Sequence, residues 1–221
     1  MRIAIEGNIG CGKSTVIEAI ERMPLCVDRG YATIQEPIDE WQHWLHEMYS
    51  DPQRWSFFFN LKVLLTLSSW STPTRLHSAV DGHDDLRIRQ KFLCERSPAA
   101  CRHVFVPIQS ELGDLSAKET ELLYEAHAAL GWEPDVVVYL RSDPLEAFER
   151  MRTRARASEA NVGIDYIRAV HEKYERLYNS AGVDKSTTTR NQVVVVVDVG
   201  ERTAAEVANI VHEKVVAIVG R

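Results

Sequence analysis

The chain has 221 residues, with 26 Lys or Arg against 32 Asp or Glu and a formal net charge of −6. This balance argues against bulk binding to nucleic acid or to an anionic membrane, because both need a basic surface. No run approaches the roughly 18 apolar residues of a membrane span, and no signal peptide is expected. Four cysteines without a CxxC pair indicate free thiols in a reducing compartment. We therefore expect one cytoplasmic domain over 1–221.

Short apolar runs rich in β-branched residues predict five buried strands of a parallel sheet. These runs are 2–6, 32–35, 91–94, 136–140 and 193–197. The predicted helices are 13–22, 39–50, 51–70, 98–111, 117–130, 144–157, 162–181 and 203–218. An Asp-Pro pair at 51–52 is typical of a helix N-terminus, and 81–85 and 182–191 are predicted loops. Strands that alternate with helices predict an α/β fold with helices flanking the sheet.

The strongest motif is a glycine-rich stretch between the first predicted strand and the first predicted helix. It matches G-x-x-x-x-G-K-[S/T] in the strand–loop–helix context that this motif requires. Glycines allow backbone N–H groups to surround a phosphate, and the helix N-terminus adds a positive dipole. Lys13 is expected to reach the β- and γ-phosphates, and the Ser14 hydroxyl to ligate Mg²⁺. The motif predicts a nucleoside-triphosphate site formed by Gly7, Asn8, Ile9, Gly10, Cys11, Gly12, Lys13, Ser14 and Thr15.

The rest of the chain narrows the class of phosphate-loop protein. No N-K-x-D string is present, which argues against a GTPase, and no second ATPase signature is visible. A kinase acting on a hydroxyl needs a carboxylate near that hydroxyl and cations to stabilise developing charge. Glu36 follows the second predicted strand, and Pro37 keeps it out of helical geometry. Glu95 and Arg96 end the third strand at the same edge of the sheet, where ligands bind in open α/β folds.

Four motifs occur in a fixed order along nearly the whole chain. They are 5–14 (IEGNIGCGKS), 36–41 (EPIDEW), 95–97 (ERS) and 150–156 (RMRTRAR), with a further similar stretch at 48–55. Together they resemble the deoxyribonucleoside kinase family, which includes deoxycytidine, deoxyguanosine and mitochondrial thymidine kinases and an insect multisubstrate enzyme. The resemblance implies a P-loop kinase fold with an arginine-bearing lid at about 150–161, ATP and Mg²⁺ as cofactors, and a deoxynucleoside substrate. It also implies a homodimer built through long helices, although the apolar helix 51–70 could instead pack within the monomer.

The resemblance also implies roles for the charged residues. Glu36 would accept the proton of the 5′-hydroxyl, and Arg96 would pair with Glu36 and with the 5′ oxygen. Glu95 would lie beside the metal with Ser14. Both carboxylates face one small site, so either Glu36 or Glu95 could be the base, and Glu36 is preferred.

The arginine cluster is expected to lie on a helix, where residues four apart share a face. Arg154 and Arg156 match the lid arginines that bind the ATP phosphates. Arg150 and Arg152 would instead support the lid. Glu159 matches the position that binds the sugar 3′-hydroxyl together with a tyrosine, here Tyr49.

The resemblance places a flat base between apolar walls formed by Trp41, Tyr49, Asn60, Val63, Leu67, Cys101 and Phe105. Asn60 departs from the family, which has a glutamine there that pairs twice with the base. Leu67 and Cys101 replace the Arg and Asp of the deoxycytidine and deoxyguanosine kinases, which favours a pyrimidine substrate. A flip of the Asn60 amide would admit both thymine and cytosine.

Two other interpretations stay open at this point. A nucleoside monophosphate kinase of the thymidylate kinase type would share the phosphate loop and the arginine lid. A catalytically silent family member acting as a dimer partner is disfavoured by intact Lys13, Ser14, Glu36 and Arg96. A neutral hydroxyl acceptor fits Glu36 and the 95–97 motif better than an acceptor phosphate does.

Overall fold

The structure is a computed structural model that describes residues 1–71, 91–179 and 192–220. Five strands pair in parallel in the order β2-β3-β1-β4-β5, which confirms the predicted parallel sheet. The strands are β1 (Arg2–Gly7), β2 (Ala32–Ile34), β3 (Phe92–Glu95), β4 (Val136–Arg141) and β5 (Val193–Asp198). The predicted loops at 81–85 and 182–191 lie outside the described residues.

Helices connect the strands at nearly every predicted position. They are α1 (Lys13–Ile20), α2 (Pro24–Val27), α3 (Ile38–Ser50), α4 (Pro52–Ser69), α5 (Pro98–Ala100), α6 (Val106–Glu111), α7 (Ala117–Leu130), α8 (Pro144–Arg154), α9 (Ile164–Tyr178) and α10 (Ala204–Val219). A π-helical turn, Cys101–Phe105, joins α5 to α6, and a 3₁₀ turn, Ala157–Glu159, follows α8. The alternation of strands and helices is therefore the one that the hydrophobic pattern predicts.

Several local details differ from the predictions. Helix α2 was not predicted, and the helix expected over 98–111 contains the π-helical turn. Helix α8 ends at Arg154 rather than at 157, because Ala155 adopts a left-handed conformation with φ 54°. Asp51 occupies the N-cap position of α4, but its side chain makes no capping hydrogen bond there. The differences at α4 and α8 lie at helix ends, which are the least predictable part of a helix.

The expectation that all five strands are covered on both faces is wrong for the two at the edges of the sheet. All residues of β2 are half-buried, and β5 begins with an exposed Val193. The inner strands β1, β3 and β4 are almost entirely buried. An edge strand has a neighbour on one side only, so its faces are covered less completely.

Strand β1 lies between the two helical layers and directs side chains into both. Ile3 and Ile5 pack in one hydrophobic cluster with residues of α1 and α10. Tyr139 of β4 and Tyr174 of α9 belong to a cluster on the opposite face. Because side chains alternate along a strand, Glu6 points to the α9 face, next to the carboxyl end of β3.

Two further predictions concern the whole chain. All four cysteines are free in the structure, as expected. Within the three described segments, no helix combines the length and apolar character needed to cross a membrane.

Candidate active site

The phosphate loop joins β1 to α1 in a conformation that requires glycine. Gly10 has φ 79°, and a Cβ atom there would lie 2.1 Å from the carbonyl oxygen of Ala147. Gly12 is the N-cap residue of α1, with φ 95°. Lys13 is buried, and its Nζ donates to the carbonyl oxygen of Asn8 at 2.9 Å. The loop therefore holds the lysine against its own backbone at the N-terminus of a helix, as a phosphate-binding loop requires.

The two strand-end motifs meet as a buried ion pair. Arg96 Nε donates to Glu36 Oε1 at 2.6 Å, and both side chains are at least nine-tenths buried. Arg96 adopts φ 68°, an uncommon conformation for a residue with a side chain. Its guanidinium also lies 4.7 Å from the centre of the Phe105 ring. The predicted pairing of Glu36 with Arg96 is therefore present, and it places a carboxylate and a cation together beside the phosphate loop.

Glu95 lies between the phosphate loop and this ion pair. Ser14 Oγ donates to Glu95 Oε1 at 3.1 Å, and Lys13 Nζ lies 4.0 Å from the same oxygen. Burial, and then the Glu36 carboxylate, raise the pKa of Glu95 above its usual range. A hydroxyl and a carboxylate are hard oxygen donors of the kind Mg²⁺ takes when phosphates and water complete its shell. No larger group of His, Cys, Asp and Glu suited to a metal occurs among the described residues.

A buried network that the sequence analysis missed supports Arg96 from behind. Arg96 Nη1 donates to the Tyr174 hydroxyl at 2.6 Å, and that hydroxyl donates to Glu6 Oε2 at 3.2 Å. Glu6 Oε1 accepts from the Ser97 backbone N–H at 2.9 Å and from Ser97 Oγ at 2.7 Å. Burial raises the pKa of Glu6 to about 7. Glu6 thus holds Ser97, the residue after the left-handed Arg96, and through the Tyr174 hydroxyl it also holds the Arg96 guanidinium.

A cleft opens from the phosphate loop between α3, α4 and the helix that follows β3. It encloses about 810 Å³ of empty space, including the part that is open to solvent. Fifteen of the predicted site residues line it, and these are Ile9, Gly10, Lys13, Glu36, Trp41, Tyr49, Asn60, Val63, Glu95, Arg96, Cys101, Phe105, Arg154, Arg156 and Glu159. Burial raises the pKa of the Cys101 thiol to about 12, so this part of the wall is uncharged. The cleft therefore combines charged groups near the phosphate loop with apolar walls farther in, an arrangement suited to a flat organic ligand.

The other predicted residues lie beside the cleft rather than in its wall. Leu67 is fully buried and packs against Trp41, Val63 and Cys101, so its predicted contact with substrate is replaced by a contact with the wall residues. Leu67 lies one helical turn beyond Val63 on the same face of α4, and these wall residues cover it. In the phosphate loop, Gly7, Asn8, Cys11, Gly12, Ser14 and Thr15 do not line the cleft.

The predicted lid arginines are held together by one carboxylate. Arg154 Nη2 lies 2.7 Å from both carboxylate oxygens of Glu159, and Arg156 Nη1 lies 3.6 Å from Glu159 Oε1. Arg150 Nη2 instead donates to the Gly200 carbonyl oxygen at 2.9 Å, which ties α8 to the loop after β5. Arg154 and Arg156 line the cleft and Arg150 supports α8, positions that are consistent with the roles implied by the family resemblance.

Tyr49 lines the cleft together with Glu159, and the family resemblance implies that these two residues bind a sugar hydroxyl. Burial, and then the neighbouring Tyr166 and Glu159, hold the pKa of Tyr49 well above its usual range. Its hydroxyl is therefore neutral and able to donate a hydrogen bond.

The inner end of the cleft contains a second residue that the sequence analysis missed. Gln109 lines the cleft, and its Oε1 accepts a hydrogen bond from Asn60 Nδ2. It follows Phe105 by four residues in a continuous helical segment, as Phe105 follows Cys101. Residues four apart share a helix face, so this spacing from two predicted pocket residues could have identified Gln109.

The parallel sheet, the glycine-rich loop with its lysine and the adjacent carboxylate–arginine pair define a P-loop kinase. A family model described as deoxynucleoside kinase matches residues 3–219. The chain belongs to the deoxynucleoside kinase family.

Individual relatives are moderately similar over most of their length. The thymidine kinase of Ictalurid herpesvirus 1 is 31% identical over 203 residues, which cover 87% of this chain and 81% of the relative. The probable deoxycytidine kinase of fowlpox virus is 29% identical over 181 residues, covering 79% and 70%. A solved structure of deoxyadenosine kinase from M. mycoides, with dCMP and dCDP bound, superposes with a TM-score of 0.75 at 21% identity. That superposition covers 99% of this chain and 100% of the other, and it supports the fold.

Proposed function

We propose that this kinase transfers the γ-phosphoryl group of ATP to the 5′-hydroxyl of a deoxyribonucleoside, and that pyrimidine deoxynucleosides are preferred. The observation that carries the proposal is the Glu36–Arg96 pair, joined at 2.6 Å in a cleft that Lys13 also lines. A carboxylate held within reach of an acceptor hydroxyl is what a kinase acting on an alcohol needs. The names of the viral relatives agree with this substrate class.

In this mechanism Glu36 accepts the proton of the 5′-hydroxyl as the hydroxyl attacks. Arg96 orients Glu36 and stabilises the negative charge that develops on the reacting oxygens. Lys13 binds the phosphates of ATP, and the lid residues Arg154 and Arg156 bind them from the other side of the cleft. Glu36 is preferred to Glu95 as the base, because Ser14 at 3.1 Å and Lys13 at 4.0 Å place Glu95 at the phosphate loop, where it would hold the metal.

Ser14 and Glu95 would hold Mg²⁺, which neutralises phosphate charge when it is bound. Tyr49 and Glu159 would hold the sugar 3′-hydroxyl at the mouth of the lid. The base would then lie between Trp41 and Phe105, and its edge would face Asn60.

The proposed pyrimidine preference rests on the walls of the cleft. Val63 and the uncharged thiol of Cys101 line the inner part of the cleft. The thiol of Cys101 stands where the family resemblance implies an Asp in the deoxycytidine and deoxyguanosine kinases, so this wall carries no charged group there. A compact apolar wall favours the smaller ring system.

A coupled assay of ATP consumption on the four natural deoxynucleosides and their monophosphates tests the proposal. We expect turnover with the nucleosides and none with the monophosphates, and the highest kcat/KM with a pyrimidine. Turnover confined to monophosphates would support the monophosphate kinase alternative instead. A purine preferred by about tenfold, or about 1.4 kcal/mol in transition-state binding, would leave the kinase proposal standing and overturn the pyrimidine preference.

The homodimer remains part of the proposal. Phe58 and Leu65 are half-exposed on α4, and Leu122 is half-exposed on α7. Phe58 and Leu65 are seven residues apart and share a helix face. Light scattering on the purified chain should give twice the monomer mass of 25.1 kDa, and a monomer mass would contradict it.

A further inference from the structure

Two carboxamide side chains meet at the inner end of the cleft, one from each wall. Asn60 comes from α4 and Gln109 from α6, and both are almost fully buried. Asn60 Nδ2 donates to the Ser56 carbonyl oxygen at 2.8 Å and also to Gln109 Oε1. A carbonyl oxygen can only accept, so the Asn60 amide has its nitrogen toward Ser56 and its oxygen on the other side. This arrangement removes the amide flip that the sequence analysis expected at Asn60.

The orientation of Asn60 determines that of Gln109. Because Gln109 Oε1 accepts from Asn60, its Nε2 lies on the other side of the amide, where it donates to Met48 Sδ at 3.3 Å. A thioether sulfur is a weak acceptor, and a primary amide has a second N–H to donate. Among the described residues no partner binds that second N–H or Asn60 Oδ1. The pair therefore has one unpaired acceptor, Asn60 Oδ1, and one unpaired N–H on Gln109 Nε2 among the described residues, and both residues line the cleft.

We propose that Gln109 is a specificity-determining residue. Gln109 supplies a hydrogen-bond donor and Asn60 supplies an acceptor, and neither amide can flip to exchange these positions. This donor–acceptor pair of fixed order binds the edge of the base. The inference rests on the proposed function and deepens it. Thymine presents an N3–H donor next to the O4 acceptor, whereas cytosine presents an N3 acceptor next to the N4 amino donor. A protein pair that cannot exchange its donor and its acceptor fits one of these orders. In the same pose the other base sets donor against donor and acceptor against acceptor.

Burial of Asn60 and Gln109 makes a mismatched base costly to bind. Unpaired polar groups in a buried site cost about 1–3 kcal/mol each, and a site built to hydrogen-bond its ligand rejects the mismatched analogue strongly. The enzyme should therefore distinguish thymidine from deoxycytidine rather than use both equally. Gln109 supplies the reach that Asn60, with its shorter side chain, lacks.

The measurement is kcat/KM for thymidine and for deoxycytidine, first on the unaltered protein. We expect the two values to differ by at least about tenfold, the ratio that one mismatched buried hydrogen bond produces. A smaller ratio between the two kcat/KM values would contradict the fixed-order pair, and the unaltered protein alone is enough to show it. If no deoxynucleoside is phosphorylated at all, the proposed function itself fails. That outcome differs from a failure of the fixed-order pair, in which both nucleosides are phosphorylated with similar kcat/KM.

The variant Gln109→Leu removes the donor while Asn60 keeps its bond to the Ser56 carbonyl. We expect the ratio of kcat/KM for thymidine to kcat/KM for deoxycytidine to move toward one by at least about fivefold. The nucleoside that the unaltered protein prefers should lose more of its kcat/KM than the other. A purely structural role for Gln109 would lower both kcat/KM values alike and leave the ratio unchanged, which would overturn the proposal. Gln42→Leu, at an exposed position on α3, is the matched control. If circular dichroism shows Gln109→Leu unfolded, Gln109→Met, which retains an unbranched chain, replaces it in the same comparison.

Discussion

Replacing Glu6 with Gln should remove a pH dependence from the free energy of unfolding. The Glu6 carboxylate is fully buried and accepts hydrogen bonds from the Ser97 backbone, the Ser97 hydroxyl and the Tyr174 hydroxyl. Burial penalises its charged form and raises its pKa from 4.5 to about 7, although Arg96 and these hydrogen bonds act in the opposite direction. Gln keeps the shape and the acceptor oxygen for Ser97, but it carries no titratable proton.

The sign and size of the effect follow from linkage between protonation and folding. The folded chain holds the Glu6 proton to higher pH than the unfolded chain does, so this contribution to stability is fully present below about pH 4.5. It is lost as the pH rises through about 7. One pKa unit corresponds to about 1.4 kcal/mol, so the rise from 4.5 to about 7 corresponds to about 3 kcal/mol in total.

Urea denaturation of both proteins at several pH values between about 5 and 8 measures the effect. The free energy of unfolding of the unaltered protein minus that of Glu6→Gln should fall by about 2–3 kcal/mol across this range. Taking the difference cancels the contribution of the titratable groups that the substitution leaves unchanged. Glu121→Gln, at an exposed position on α7, should show no such trend. A Glu6→Gln difference that stays constant within about 0.5 kcal/mol would refute the reasoning.

Three other substitutions test the site. Lys13→Ala should lower turnover by about 10²-fold or more, because the lysine that neutralises phosphate charge is lost; more than about a tenth of normal turnover in a steady-state assay would refute this role. Glu36→Gln should retain nucleoside binding and lower kcat by about 10²–10⁴-fold, whereas a change in KM alone would shift the base role to Glu95. Asn60→Gln adds a methylene to a side chain that already touches Gln109, so unfolding experiments should show a loss of about 1–3 kcal/mol together with weaker nucleoside binding. Tighter nucleoside binding with an unchanged free energy of unfolding would contradict this prediction, because it would show that the inner end of the cleft can accommodate the extra methylene.

Much of the architecture could be predicted from the sequence because its signals are local. The five strands appear as β-branched apolar runs, and each lies within one or two residues of its predicted position. The phosphate loop is also a local motif, so its glycines and Lys13 could be located without any tertiary information. The boundaries that were missed, such as the end of α8 at Ala155, depend on a backbone conformation that alanine rarely adopts.

The candidate site was predictable to the extent that a motif or a resemblance marked its residues. Glu36 and Arg96 lie 60 positions apart in the chain. The strand-end argument placed them at one edge of the sheet, and the family resemblance implied that they pair. Leu67 was misplaced because its orientation depends on how α4 packs against Trp41. Gln109 was missed because a polar residue late in an apolar helix is ordinarily taken as solvent-exposed.

By itself the sequence determined the fold class, the phosphate loop and the identity of the charged residues at the strand ends, since these depend on periodicity and short-range spacing. Only the tertiary structure decided which polar groups form buried hydrogen bonds with each other. Glu6 is separated from Ser97 by 91 positions and from Tyr174 by 168, and Asn60 is separated from Gln109 by 49. Such contacts depend on the packing of distant helices against the sheet. The protonation of Glu6 and the orientation of the two carboxamides follow from burial and hydrogen bonding, which exist only once the chain is folded.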